Sequence, residues 1–218
     1  MHGQEFFEHV HTAWPESAEV FDRAMTQASR QSAGAVAGTL PLDGARTVAD
    51  IGGGQGFLLA SLLEHHPGLR GVLFDRPDVV AGADARLREG GALADRAQLL
   101  PGDCREEVPA GVDAYVFKNV LGMNDEDAAV VLGNVVRTAR AGARVIIVEN
   151  LVDDGPGRAF STAMDLRMLL TVGGRKHTLQ GLLALVTRSG LTVRQVRPVN
   201  SYQHMIEAMV PAYASRTP

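Results

Sequence analysis

The chain has 218 residues, 45% of them hydrophobic, enough to build a substantial core within one domain. A net charge of −4, with Lys and Arg scattered along the chain, offers no basic face for nucleic acid or an anionic membrane surface, and no apolar run is long enough to span a bilayer. Cys104 is the single cysteine, which excludes an intramolecular disulfide and a thiolate zinc site; with an N-terminus, MHGQEFFEHV, that does not read as a signal peptide, a reducing, cytoplasmic setting is expected.

In chain order, residues 4 to 38 read as two helices separated at Trp14-Pro15. A strand follows at TVADI (47 to 51), then a glycine-rich loop and a helix near 55 to 66. Next come a strand at GVLFD (71 to 75), a helix near 77 to 90, and strands at AQLLPGD (97 to 103) and DAYVFKN (113 to 119). A helix near 125 to 140, a strand at RVIIVEN (144 to 150) and helices near 160 to 170 and 178 to 189 lead to a closing strand pair, 191 to 199 and 202 to 210. Strands alternating with helices require crossover connections. The expected fold is therefore α/β and doubly wound, a mostly parallel seven-stranded sheet with helices on both faces. Residues 1–40 are expected to form a helical lead-in packing on a domain at 41–218.

The loop after the first strand concentrates four glycines in VADIGGGQGFLLASLLEHH. Backbone without Cβ atoms lets a ligand approach a helix N-terminus, where free N–H groups favour negative charge. A dinucleotide fingerprint does not fit, because the third glycine position falls on Phe57 when counted from Gly52 and on Leu59 when counted from Gly54. No Gly-Lys-Ser/Thr ending follows, which removes a Walker A loop. What stands there is Asp50, one residue, then Gly52, Gly53, Gly54 and Gly56.

With VADIGGGQG, GVLFDRPDVV, PGDCREEVP, DAYVFKNVL, VIIVEN, MDLRMLLTVGGRKHT and SYQHMIEA following in order, the chain resembles the S-adenosylmethionine-dependent small-molecule O-methyltransferases of plants and actinobacteria along nearly its whole length. That resemblance implies S-adenosylmethionine as cofactor. It sets Asp50 and the Gly52–Gly56 backbone, Gly52 and Gly54 foremost, against the methionine portion and Asp75 against the ribose hydroxyls. Asp103 would lie beside the adenine, with Cys104 a small apolar neighbour rather than a nucleophile, and Lys118 at the cofactor's rim. Met25 and Ser29 match the helix packing over the cofactor, and Asp165, Met168 and Asn119 match substrate-contacting positions.

Departures from the family pattern are equally specific. Where plant-type members carry a histidine base in the loop after K-x-V-L, this chain reads KNVLGMNDED, so Gly122 occupies the base position, followed by Met123 and Asn124. Of the two acidic residues that orient that histidine, Glu149 is retained and Lys176 replaces the other. His177 and His204 are the imidazoles left as alternative bases. His9 with His11 and His65 with His66 lack the one-turn spacing of helical metal ligands, so no metal is expected. Family members also carry a large, mostly helical N-terminal region with a winged-helix part that interlocks two subunits, whereas this chain starts close to the cofactor domain; a protein partner supplying that region is an expectation. Three functions follow: an O-methyltransferase on a hydroxylated aromatic or polyketide-like molecule, a family member using the cofactor for hydroxylation, decarboxylation or rearrangement, or a non-catalytic partner subunit.

Overall fold

The computed structural model describes residues 14–153, 157–201 and 203–212. Seven strands form one sheet: β1 (Thr47–Ile51), β2 (Arg70–Asp75), β3 (Ala97–Pro101), β4 (Ala114–Lys118), β5 (Arg144–Asn150), β6 (Thr192–Pro198) and β7 (Gln203–Met209). Their order is β3-β2-β1-β4-β5-β7-β6; the first five are parallel, and β7 inserts antiparallel between β5 and β6. The doubly wound, mostly parallel expectation holds. The helices are α1 (Pro15–Ala37), α2 (Phe57–His65), the short α3 (Pro77–Val80), α4 (Asp125–Thr138), α5 (Arg158–Val172) and α6 (Leu179–Arg188). Among the described residues no helix is long and apolar enough to cross a membrane.

Each sheet face carries its own core. One holds Phe117, Val131, Leu132, Ile147, Leu182 and Leu185, joining the sheet to α4 and α6; the other holds Val36, Leu59, Leu62, Leu63, Val116 and Ile146, joining it to α1 and α2. Central strands buried on both faces read as continuous apolar runs, which is why VIIV and AYVF were visible as strands without alternation.

One element differs from expectation. The helix expected over 77 to 90 stops at Val80, because Gly82 follows at once and the Asp84 carboxylate draws the Arg86 N–H and guanidinium into a local turn. In the lead-in, Pro15 opens α1 directly after Trp14, as the break required. The helix expected ahead of Trp14, and the His9/His11 pair, lie outside the described residues.

Candidate active site

β1 has β2 on one side and β4 on the other, so the chain leaves it in opposite directions and a crevice opens beyond the carboxyl ends of the parallel strands, where open α/β sheets bind ligands. Five of the charged residues singled out in the sequence sit along that edge. Asp50 is the penultimate residue of β1, Asp75 ends β2, Asp103 follows β3, Lys118 ends β4 and Glu149 is penultimate in β5.

The glycine loop is shaped by close approach. A Cβ on Gly53 would stand 2.6 Å from Leu73 Cδ1 and 2.7 Å from Asp50 Cγ, so only glycine leaves the strand-end carboxylate in place. Gly54, at φ +62°, turns its N–H onto Asp75 Oδ2 at 2.7 Å, while Asp75 Oδ1 accepts the Arg76 N–H at 2.7 Å. The two backbone donors fix the carboxylate plane, and burial raises the Asp75 pKa against their opposing pull. Gly56, in the left-handed region, starts α2, and the Arg30 guanidinium of α1 lies 4.8 Å from the ring of Phe57, the next residue. Ser29 is therefore on the part of α1 that covers the loop; Met25 lies one turn earlier on the same helix.

Asp50 is 1% exposed, and its Oδ2 is buried without a hydrogen-bond partner. Burial pushes its carboxyl up to about 7, with the nearby Lys118 charge opposing the shift. Lys118 is in turn lowered by burial and held up by Asp50 and Glu149. An unpartnered carboxylate oxygen beside a glycine loop fits a ligand ammonium, because a cation there supplies the missing donor. Asp103 is occupied differently: Arg105 grips both of its oxygens, the closest contact 2.7 Å, and holds its pKa below the ordinary range. Cys104 is half-buried with its thiol pushed up to about 11, consistent with a small packing residue. Asn119, at φ +58°, is the one non-glycine residue with positive φ among the described residues, and it links Lys118 to the loop that follows β4.

A second cluster gathers residues distant in sequence. Lys176 Nζ donates to Glu149 Oε2 at 3.0 Å, and Glu149 Oε1 accepts the Leu121 N–H at 2.9 Å, both inside the protein. A Cβ on Gly122 would lie 3.4 Å from Lys176 Nζ and 3.3 Å from Met168 Cε. Gly122, Glu149 and Lys176 thus meet at one corner, with Met168 of α5 against them. Asp165 Oδ1 accepts the Lys176 backbone N–H at 2.6 Å and ties the 173–177 segment to α5. The buried His177 sets Nε2 3.0 Å from the Leu121 carbonyl and Nδ1 3.9 Å from Asp125 Oδ1, an arrangement that clamps the loop after β4. His204 stands opposite Glu149 in the β5–β7 ladder, and its Nδ1 is buried with no partner.

Asp125 was not anticipated from sequence, where it reads only as an acidic residue in the first turn of α4. Its carboxylate meets Arg175 at 2.7 Å and Arg188 at 3.3 Å; both partners are too far along the chain to leave a local signal. Asn124 caps α4 by accepting the Asp127 N–H at 2.8 Å.

Comparison with known proteins agrees with this geometry. The O-methyltransferase domain model matches residues 1–192. A mitomycin biosynthesis 6-O-methyltransferase from Streptomyces lavendulae is 39% identical over 197 residues, covering 90% of this chain and 56% of that protein. A solved mitomycin 7-O-methyltransferase superposes with a TM-score of 0.87 at 36% identity, covering 95% of this chain and 61% of the other. An O-methyltransferase from neocarzinostatin biosynthesis, solved with S-adenosylhomocysteine and 1,4-dihydroxy-2-naphthoic acid, superposes at 0.83 with 31% identity, covering 95% of this chain and 62% of the other. The chain therefore spans little more than half the length of the relatives it matches. A matching domain model, a shared seven-stranded fold and identity above 30% show that the chain belongs to the O-methyltransferase domain family.

Proposed function

We propose that this protein transfers a methyl group from S-adenosylmethionine to a hydroxyl oxygen of an aromatic or polyketide-like small molecule. The observation that carries the reading is the buried, unpartnered Asp50 oxygen beside the glycine loop, on the sheet edge that also presents Asp75 and Lys118. When bound, the cofactor supplies an electrophilic methyl group on a sulfonium sulfur. Asp50 takes the ammonium of the methionine portion, and the Gly52–Gly54 backbone lies along it. Asp75, already oriented by two backbone donors, accepts from the ribose hydroxyls. Asp103 and Cys104 border the adenine, Met25 and Ser29 of α1 cover the pocket, and Lys118 stands at its rim. Asn119, Asp165 and Met168 bound the substrate side, next to Glu149, Lys176 and His177. These are the positions at which holding two reactants in line removes the entropic part of the barrier.

The relatives named above are O-methyltransferases, which favours this reading over non-methylating chemistry or a non-catalytic role. A protein partner supplying an interlocking N-terminal region, a lead-in at 1–40 ahead of the cofactor domain at 41–218, and a cytoplasmic setting belong to the same proposal. Calorimetry with S-adenosylhomocysteine, followed by transfer of a labelled methyl group to a panel of hydroxylated aromatics, tests it. Micromolar-range binding and a labelled aryl ether are expected; binding of NAD in place of the cofactor overturns the reading.

A further inference from the structure

Resting on the methyl-transfer reading, we infer that the Lys176 ammonium docks the reacting oxygen as an oxyanion, so that the substrates of this chain are acidic phenols or enols whose nucleophile arrives already ionised. Lys176 has three N–H donors and one acceptor, Glu149 Oε2, and its side chain is only 6% exposed. Two donors of a buried cation are left to be met, and unmet donors away from water are costly. Nζ also lies 3.4 Å from where a Cβ at position 122 would stand, with Met168 Cε at 3.3 Å and the Arg175 carbonyl at 3.4 Å beside it.

The acceptor nearest the Lys176 ammonium is fully committed. Glu149 spends one oxygen on the Leu121 N–H and the other on Lys176. His177 is held between the Leu121 carbonyl and Asp125, and Asp165 Oδ1 is taken by the Lys176 backbone. The wall beside Gly122 thus holds the Lys176 ammonium on an engaged Glu149, with Met168 Cε and the Arg175 carbonyl next to it. Neither Glu149 oxygen is free to take the proton of a neutral hydroxyl, whereas an oxyanion completes the ammonium's hydrogen bonding. Lys118, electrostatically coupled to Asp50, Glu149 and Lys176, adds positive charge between this corner and the cofactor pocket. In the transfer, an O–CH3 bond forms as the S–CH3 bond breaks. The electron pair stays on sulfur, and no proton needs a destination.

4-Nitrophenol reports its own ionisation, because the phenolate absorbs visible light and the phenol does not. Titrated into the chain saturated with S-adenosylhomocysteine, it should show a bound pKa about one unit lower than in solution, a roughly tenfold shift toward the anion from the adjacent ammonium. Lys176→Arg should keep the shift and Lys176→Met should abolish it. Since Lys176→Met leaves Glu149 buried and unpaired, the double variant Lys176→Met/Glu149→Gln is measured beside it, with circular dichroism confirming the fold. Calorimetry on the same samples separates the two readings. If S-adenosylhomocysteine does not bind the unaltered chain, the methyl-transfer reading falls and this one with it. If the cofactor binds but the probe fails to bind, binds as the neutral phenol, or keeps its shift in the double variant, the role of Lys176 alone is overturned.

Discussion

Cofactor affinity should fall in acid because of Asp50. Its carboxyl is raised from 3.8 to about 7, first by burial and against the pull of Lys118. In the unliganded protein the sign is that of a raised carboxylate: its contribution to stability is full below 3.8 and is lost as pH rises through about 7. Binding of a ligand ammonium runs the other way, because it needs the ionised form. With a carboxyl titrating near 7, roughly half of the sites are ionised at about pH 7 and about 3% at about pH 5.5, so the dissociation constant should rise about 15-fold, roughly 1.6 kcal/mol, between them. Calorimetry with S-adenosylhomocysteine in two buffers of different ionisation enthalpy reads both quantities, and release of close to one proton per ligand is expected at the lower pH. Asp50→Asn should weaken binding at pH 7 and flatten the dependence. A dissociation constant that does not change over this range, or an unaltered slope in Asp50→Asn, would refute the assignment of the ammonium to Asp50.

Three further outcomes are expected. Asp75→Ala should weaken S-adenosylhomocysteine by about 1 to 3 kcal/mol through lost charged hydrogen bonds and should free the Gly54 N–H, measured by the same titration. Gly53→Ala should cost about 1 to 3 kcal/mol of stability in thermal unfolding and disturb cofactor binding, because its Cβ would press on Leu73 and on the Asp50 carboxylate; an unchanged Tm with unchanged affinity would contradict the loop geometry. Glu149→Ala should lower stability in urea by about 3 to 5 kcal/mol, since it strands both the Lys176 ammonium and the Leu121 N–H, and Glu149→Ala/Lys176→Met should recover part of that loss.

The strand-end charges of the proposed cofactor site were legible in the sequence because each lies at or just past the end of a strand. Asp50, Asp75 and Lys118 are marked by apolar runs that stop at a charge, and a parallel sheet brings all such ends to one edge. Asp103 also stands at that edge, just past β3, but its pairing with Arg105 depends on how the turn after β3 folds back. The helix over 77 to 90 misled because its apolar spacing continues past Val80, while the glycines and the Asp84 turn decide the backbone.

What the sequence determined by itself was local and repetitive. Alternating strands and helices set the fold class, and four glycines behind a strand-end aspartate set the kind of ligand loop. Gly122, where the family resemblance sets a histidine, gave the expectation of a site without the usual base. Tertiary structure alone decided what surrounds it. Glu149, Lys176, Met168 and Gly122 lie on four separate segments, and only the packing of α5 and the 173–177 loop over the ends of β4 and β5 turns a lone lysine into a buried cation beside Gly122 with one of its three donors met. The insertion of β7 between β5 and β6 and the gathering of Arg175 and Arg188 on Asp125 were hidden for the same reason: contacts between residues far apart in sequence leave no periodicity or spacing in the chain, and burial, which sets the cost of every unpaired charge, exists only once the chain has folded.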